Sequence, residues 1–221
     1  MRKGDGILHR AAFIVIFTLL TVIRLSCRIA TGAFRERLYA DREEWRFIAL
    51  RGLFGIPLVA ATAIYVFDLP WAAWSSVRLA GWLRWAGAGL CLAAVALISL
   101  SHRSLDGSFS PTIRLRRHHR LVTTGPYRFV RHPMYSAYLL LFLGAFLLSA
   151  NWVIGAGGVG VILTLMTLRL AGEERRLAER FDGAWLAYRD ATGAFLPRLR
   201  RAPARTDRGL RATEAGSGRG A

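Results

Sequence analysis

Residues 125–135 read GPYRFVRHPMY, and they stand at the start of an apolar run that begins at Met134. Two prolines, two arginines, a histidine and two tyrosines fall within these eleven residues. Polar side chains at the mouth of a membrane span are typical of a functional site. A second polar cluster, residues 169–174, follows the next apolar run. If the two runs form a helical hairpin, both clusters lie on one membrane face and form one pocket.

The composition is that of a membrane protein. Of the 221 residues, 53% are apolar and the mean hydropathy is +0.31, which is too apolar for a typical soluble domain. A bilayer core of about 30 Å needs roughly 17 to 25 helical residues. Five apolar runs approach that length: 7–25, 47–67, 81–100, 134–150 and 152–170. The sequence therefore predicts an all-α integral membrane protein with about five transmembrane helices.

Basic residues set the predicted orientation. Of the 31 arginines and lysines, 25 lie in segments 24–46, 101–133 and 169–221, which alternate with the other connections. The positive-inside rule then places the N-terminus outside and the C-terminus in the cytoplasm. Both polar clusters face the cytoplasm in this arrangement. We divide the chain into N-terminal transmembrane helices (1–100), a core of loop, hairpin and cytoplasmic helix (101–199) and a disordered basic tail (200–221).

Several side chains within the runs have a predicted structural role. Arg24 and Arg84 lie near run ends, where we expect them to snorkel to the interface. Pro57 predicts a kink in the second helix. Small residues in the hairpin allow close backbone approach in lipid, and they are Gly144, Gly155, Gly157, Gly158 and Gly160. Tryptophans cluster at run ends on the predicted outer face, as in an aromatic belt, and they are Trp71, Trp74, Trp82, Trp85 and Trp152.

The same features argue against other classes of function. A net charge of +17 favours nucleic acid in a soluble protein, but here the basic residues are spread between apolar runs, so no nucleic-acid partner is predicted. No metal is predicted, because histidines and carboxylates show no ligand spacing, and Cys27 and Cys91 form no CxxC motif. All basic residues but one are arginine, and no cleavage signature follows the first run. We therefore expect a bacterial inner-membrane protein with a retained first span.

The two clusters contain residues suited to chemistry, each with a plainer alternative. Pro133 restricts His132 to an extended conformation at the entrance of the fourth helix, where a lone histidine is also typical of an ordinary interfacial side chain. Arg169 and Glu173 are four residues apart and share a helix face. They either line a cavity or form an ordinary intrahelical ion pair.

The motifs resemble a known family. Residues 119–135 fit HxLVTTGPYxxxRHPxY, residues 169–181 fit RxxxEExxLxxxF, and Tyr188 and residues 195–197 (FLP) follow. This order is similar to the isoprenylcysteine carboxyl methyltransferase family and to related membrane phospholipid methyltransferases. The resemblance covers about residues 100–199. Three positions differ from the family pattern: Thr112, Ala137 and Asp182, the last within Phe181-Asp182-Gly183 in place of Phe-Gly.

The resemblance implies an integral membrane enzyme that uses S-adenosyl-L-methionine. The implied catalytic residues are Arg169, Glu173 and His132, with Arg169 also binding the substrate. The implied cofactor-binding residues are His119, Arg120, Leu121, Val122, Tyr127, His132, Pro133, Met134, Tyr135 and Glu173. The implied acceptor is a lipophilic or lipid-linked molecule that enters from the surrounding membrane lipids.

The acceptor's chemistry stays open at this point. A carboxylate acceptor is already ionised and needs no base, and Arg169 is able to hold it through two parallel hydrogen bonds. A phospholipid amine or a thiol needs deprotonation, for which Glu174 or His132 is the candidate base. A small membrane transporter or lipid-binding scaffold is the non-enzyme alternative. The apolar runs contain no Asp, Glu or Lys in their interiors, which disfavours an ion-coupled transporter.

Overall fold

The computed structural model describes residues 3–30, 44–105 and 121–198. Five α-helices make up this part of the chain, namely α1 (Lys3–Ala30), α2 (Glu44–Val66), α3 (Gly81–Leu105), α4 (Pro133–Ser149) and α5 (Trp152–Ala191). Short 3-10 turns lie at Pro70–Ser75 and Gly125–Arg128. Within the described ranges β-structure is limited to two isolated bridges. The predicted all-α fold is confirmed, and the five helices follow the five apolar runs.

Three of the five helices have the length and composition of membrane spans. By these criteria α1 (over Asp5–Cys27), α3 and α5 are long and apolar enough to cross a bilayer, whereas Gly52–Val66 of α2 and all of α4 form shorter apolar helices. The 17 residues of α4 extend over about 25 Å at 1.5 Å per residue, which is the lower end of the spanning range. The chain is an integral membrane protein.

Helix contacts show that successive helices alternate in direction. The rings of His9 and Trp85 lie 4.9 Å apart, so α1 and α3 begin at the same end of the bundle. Arg84 donates from Nε to the carbonyl of Leu148 at 3.0 Å and from Nη2 to the Tyr65 hydroxyl at 3.4 Å. The last turns of α4 and α2 therefore finish where α3 begins. We call this the tryptophan end and the opposite end, where α4 begins, the loop end.

The predicted aromatic cluster lies at the tryptophan end. Each of its side chains is 46–75% exposed, and they are Trp71, Trp74, Trp82, Trp85 and Trp152. The indoles of Trp74 and Trp152 form an edge-to-face pair 5.4 Å apart. Exposed indoles in a ring at one end of an apolar bundle are the arrangement that membrane interfaces favour.

Arg84 does not snorkel, contrary to the expectation from its position. It is 5% exposed and holds the two acceptors described above inside the bundle. The α4 carbonyls have no intrahelical partner in the last turn, so a buried guanidinium there satisfies an orphan acceptor. Arg24, in contrast, is exposed, with its guanidinium 5.1 Å from the centre of the Tyr138 ring.

Small residues permit close helix packing, but Gly144 does so at a different interface from the one predicted. A Cβ on Gly144 would lie 2.8 Å from the Gly87 carbonyl oxygen, and one on Gly87 would lie 2.7 Å from that of Gly144. The two glycines therefore mark the crossing of α3 and α4. In α5, a Cβ on Gly155 would meet Phe146 of α4 at 2.6 Å, and one on Gly160 would meet Phe54 of α2 at 2.7 Å. The apolar core centres on these crossings.

The hairpin between α4 and α5 is as tight as its sequence predicts. Ala150 adopts a left-handed conformation with φ 53°, which ends α4. Asn151 then caps α5, because its Oδ1 accepts hydrogen bonds from the amides of Val153 and Ile154 at 3.0 and 3.2 Å. Its side-chain amide donates to the Ser75 hydroxyl at 2.6 Å. The helix α2 contains Pro57 and continues to Val66, so the proline does not end it, and the kink at Pro57 stays a prediction.

Candidate active site

The site lies at the loop end, where two prolines and a glycine direct the chain into α4. Gly125 has φ +59°, a conformation that favours glycine, and an added Cβ there would collide with the Ser104 hydroxyl at the end of α3. Pro133 is the first residue of α4, and it is buried. His132 precedes it with φ −124° and ψ 59°, so its backbone is not in the extended region that the sequence predicts. This local geometry places the His132 ring against the bundle, where the residue is 8% exposed.

Two backbone segments that are distant in sequence pair beside His132. The amides of Arg131 and His132 donate to the carbonyls of Gly193 and Ala194 at 2.8 and 2.9 Å. The Ser136 hydroxyl donates to the Phe195 carbonyl at 2.7 Å. We call this pairing of residues 130–132 with residues 193–195 the clasp. It fixes the chain after α5 to the start of α4.

Arg131 connects the clasp to α5 through its side chain. Its Nη1 donates to the carbonyls of Arg189 and Thr192 at 2.8 and 2.6 Å, and its Nε donates to Glu174 Oε1 at 3.2 Å. The side chain is only 9% exposed. A guanidinium offers five donors in a rigid plane, so it satisfies the last carbonyls of a helix and a carboxylate together.

Glu174 also contacts His132. The His132 Nε2 lies 3.1 Å from the same carboxylate oxygen that Arg131 holds. Burial lowers the pKa of His132, and the hydrogen bond and charge of Glu174 oppose that shift only in part. Near neutral pH the fold therefore favours the uncharged imidazole, which has one ring nitrogen able to accept a proton.

Glu173 faces the other side of this centre, beyond Leu170, where the apolar part of α5 ends. The Tyr135 hydroxyl donates to Glu173 Oε1 at 3.4 Å. Burial raises the pKa of Glu173, whereas the positive charge of Arg169 and the Tyr135 hydrogen bond lower it. Glu173 is thus a half-buried acceptor one helical turn from a guanidinium.

A pair of tyrosines closes the side next to the 3-10 turn. The Tyr188 hydroxyl donates to the Tyr127 carbonyl at 2.6 Å, and burial raises the pKa of Tyr188 to about 12. Burial also raises the pKa of the Tyr127 phenol. The Tyr188 ring is 5.7 Å from that of Trp185, which is 2% exposed. The face of α5 that carries Tyr188 therefore packs against the segment before α4.

The structure brings together much of the predicted site. His132, Tyr135 and Glu173 lie in one polar centre with Glu174, and Arg169 acts electrostatically on Tyr135 and Glu173. The remaining described members of the predicted set, Leu121, Val122, Tyr127 and Met134, are half-buried and Pro133 is buried. His119, Arg120 and Thr112 lie outside the described residues.

Sequence reasoning assigned no role to several residues that build this centre. Arg131 lies inside the first motif. Its position next to His132 in the sequence was the signal that could have identified it as a site residue. Ser136 donates to a backbone carbonyl, and Gly193 supplies one as an acceptor. Such bonds are specified by tertiary geometry and leave no residue-type pattern in the sequence.

Comparisons with known proteins find similarity to membrane methyltransferases. Residues 82–184 match the family model described as phospholipid methyltransferase. Over 92 residues, or 41% of the chain, it is 30% identical to two proteins of Arabidopsis thaliana, protein-S-isoprenylcysteine O-methyltransferases A and B. The match covers 47% of each relative, so the chain spans about half the length of the curated relatives it matches.

The fold is similar to that of a solved membrane protein. A eukaryotic intramembrane Ras methyltransferase, isoprenylcysteine carboxyl methyltransferase, superimposes with a TM-score of 0.60 over 89% of this chain and 69% of that one. Sequence identity in this superposition is 17%, so the likeness is one of fold.

Proposed function

We propose that this chain, an isoprenylcysteine carboxyl methyltransferase-like family member, transfers a methyl group from S-adenosyl-L-methionine to the carboxylate of a lipophilic, isoprenylcysteine-like acceptor. The observation that carries the proposal is the polar centre at the loop end. There His132 and Tyr135 from the start of α4 meet Glu174 and Glu173 from α5. Helix packing in a small apolar bundle does not require so many polar and ionisable side chains in one place.

The residues present fit the cofactor. S-adenosyl-L-methionine carries hydroxyl and amino donors, an aromatic base and a sulfonium cation. Glu173 offers a carboxylate for the donors, and the rings of Tyr135 and Phe195 each lie 5.9 Å from that of His132, forming an aromatic surface. The bound cofactor supplies an electrophilic methyl group. His119, Arg120, Leu121, Val122, Tyr127, Pro133 and Met134 complete the proposed binding set.

Positioning is the main task of the protein in such a reaction. Methyl transfer from a sulfonium is an in-line displacement, and holding both reactants in line lowers its barrier. Glu174 and Arg131 fix the His132 ring, and the clasp fixes the start of α4 to the end of α5. In our proposal Arg169 holds the acceptor carboxylate through charge-assisted hydrogen bonds. The nucleophile is then already ionised, so no proton needs to move.

A phospholipid amine is the second candidate acceptor, and the family match at residues 82–184 favours it. An amine must lose a proton when it is methylated. Burial keeps the pKa of His132 low, so its uncharged ring is available as the base, with Glu174 stabilising the cation that forms. A thiol acceptor must also lose a proton to a base.

We further propose that the loop end faces the cytoplasm of a bacterium and that the acceptor enters from the membrane lipids. The distribution of basic residues supports this orientation. S-adenosyl-L-methionine is a charged, water-soluble molecule, so its site needs access to an aqueous compartment.

The acceptor class is tested by the stability of the transferred label. Membranes that contain the chain are incubated with methyl-labelled S-adenosyl-L-methionine, and the products are treated with mild base. Release of volatile label indicates a methyl ester, as the main proposal predicts. Label that is stable to base indicates N- or S-methylation and replaces the main proposal with the second candidate.

Two variants test separately the role of Arg169 in binding the acceptor and the role of His132 as a base. Arg169→Gln is expected to raise KM for a carboxylate acceptor by about tenfold, the loss of one charge-assisted pair, with a smaller effect on kcat. His132→Gln is expected to abolish amine methylation and to leave a substantial part of ester formation, because an ionised carboxylate needs no base. Loss of ester formation in His132→Gln alone, with normal cofactor binding, would contradict the carboxylate mechanism.

A further inference from the structure

A second polar site lies at the tryptophan end, across the bundle from the candidate active site. A cavity of about 260 Å³ opens there, and it is lined by Asp5, Leu8, His9, Gly81 and Trp85. A water molecule occupies about 30 Å³ in the liquid, so the cavity has room for a group of several heavy atoms. It is smaller than the 300–1,000 Å³ of a typical small-molecule pocket. Its size suits a headgroup better than a nucleoside cofactor.

His9 is the polar group inside this cavity. The residue is 2% exposed, and neither ring nitrogen has a hydrogen-bond partner among the residues that the structure describes. Leaving a buried polar atom without a partner destabilises the fold, and the cost is higher inside an apolar bundle. Both nitrogens are out of reach of a water-sized molecule, so a ligand in the cavity would hydrogen-bond to the imidazole, and remove this cost, once the ring turns toward it.

The other lining groups are suited to a cation. The Trp85 indole packs on His9 with ring centroids 4.9 Å apart, and about half of its surface remains exposed. Asp5 has no ion pair or hydrogen bond within residues 3–30, 44–105 and 121–198. A carboxylate, an aromatic face and an imidazole acceptor together form a site for an ammonium group.

Two arginines near the cavity are already engaged by other groups. Arg10 forms an ion pair with Asp68, and Arg84 donates to the Leu148 carbonyl and to the Tyr65 hydroxyl. Neither guanidinium lines the cavity. Among the residues that line the cavity the charged side chain is Asp5, so the lining presents a negative charge.

We propose that this cavity binds the primary amine of a phospholipid headgroup, as in phosphatidylethanolamine, with Asp5, His9 and Trp85 as its contacts. The ammonium donates to the Asp5 carboxylate and to a His9 ring nitrogen, and it lies against the Trp85 face. This site is separate from the proposed methyl-transfer site and does not depend on it.

The surroundings favour a lipid over a soluble amine. Leu8 and Trp82 beside the cavity are 58% and 72% exposed, and both lie within the ring of tryptophans that marks the membrane interface at this end. An acyl chain leaving the headgroup has apolar side chains to follow there. A soluble amine would leave these side chains without a partner.

The experiment titrates the full-length chain, purified in detergent, with lipids of identical acyl chains and counts bound lipids by native mass spectrometry. Phosphatidylethanolamine is compared with phosphatidylcholine, whose ammonium has no N–H donor, and with phosphatidylglycerol, which has no cation. We expect phosphatidylethanolamine to be retained at least about fivefold better than either, as a contact worth about 1 kcal/mol predicts. Asp5→Asn and Trp85→Leu are expected to remove this preference.

Trp82→Leu is the matched control, because it deletes an exposed indole of the same ring outside the cavity lining. It should keep the preference. His9→Leu should lose the preference but raise the unfolding midpoint in lipid-free detergent, because it removes the unpartnered nitrogens. Equal retention of the three lipids by the wild type, or equal loss in Trp82→Leu and Trp85→Leu, would overturn the proposal. Displacement of the bound lipid by ethanolamine at millimolar concentration would overturn its assignment to a lipid.

Discussion

At the scale of single residues, Glu174 joins two other side chains of the candidate active site. One of its oxygens contacts both Arg131 and His132. The neighbouring Glu173 has a different partner, the Tyr135 hydroxyl. The two adjacent carboxylates therefore have different partners and different proposed roles. In our account Glu173 meets the cofactor and Glu174 holds the clasp.

Replacing Glu174 tests this division. Glu174→Gln is expected to lower the free energy of unfolding by about 1–3 kcal/mol, because Arg131 and His132 lose a shared charged acceptor in a largely buried setting. The unfolding midpoint in detergent is the measurement. Glu179→Gln is the control, since its ion pair with Arg175 is exposed on both sides and should contribute less than about 1 kcal/mol. Equal effects of the two changes would show that the contact has no structural role.

His132 should make the protein sensitive to acid. Its pKa is lower in the fold than in the unfolded chain, so the unfolded state binds more protons as the pH falls. The stability that this residue contributes is therefore complete above its unfolded pKa, near 6.5, and is lost as the pH falls from there toward the folded value. Glu173, whose pKa is raised, acts with the opposite sign at its own, more acidic range. Unfolding midpoints between about pH 7 and 5 should fall less steeply in His132→Gln than in the wild type, and parallel slopes would contradict this.

At the scale of the elements, α5 contains a break that explains one departure from the family pattern. Asp182 has φ 39° and ψ −119°, a conformation that only glycine adopts at low cost, and the helix bends there. The resemblance places a glycine after Phe181, whereas this chain has aspartate followed by Gly183. The bend still delivers Trp185 and Tyr188 to the site.

Asp182→Gly should therefore stabilise the protein. Relief of the strained backbone is worth about 1–3 kcal/mol, reduced by the greater freedom of glycine in the unfolded chain. Asp190→Gly provides the contrast, because Asp190 lies in the regular part of α5 and glycine there should cost up to about 1 kcal/mol. The measurement is the thermal unfolding midpoint of both variants. Destabilisation by Asp182→Gly would mean that the aspartate side chain makes a contact that the fold needs.

The crossing of α3 and α4 provides a second test at this scale. Gly87→Ala forces a Cβ to within 2.6 Å of the Leu148 amide nitrogen, whereas a Cβ on Gly89 meets nothing within 4 Å. Gly87→Ala should lower stability by about 1–3 kcal/mol through overpacking, and Gly89→Ala should raise it by up to about 1 kcal/mol through helix propensity. Similar midpoints for the two variants would contradict the close crossing.

At the scale of the whole molecule, some features follow from sequence and others do not. The five helices and the tight turn at Asn151 were predictable, because apolar run length and capping residues are local signals. The partners of Arg84 and Gly144 were not, since a run of apolar residues does not reveal which face meets which neighbour. His132 and Glu173 were identified through motif resemblance, whereas the clasp consists of backbone hydrogen bonds that any side chains would allow.

The orientation across the membrane is a prediction at the same scale. The tryptophan end and the loop end face opposite sides, because successive helices alternate in direction. In a variant with Cys27 and Cys91 replaced by alanine, a single cysteine at Ser76 should react with an impermeant maleimide in intact cells. A cysteine at Thr124 should react only after lysis. The reverse pattern would invert the topology and place the candidate active site outside.

The central claim is that the polar centre at the loop end binds S-adenosyl-L-methionine. The most direct measurement is equilibrium binding of the labelled cofactor to purified protein in detergent, with competition by S-adenosylhomocysteine. We predict saturable binding by the wild type and by Glu179→Gln, and at least about tenfold weaker binding by Glu173→Gln, as expected for the loss of a charge-assisted hydrogen bond. Absence of binding to folded wild-type protein, or equal affinity in Glu173→Gln, would contradict the account.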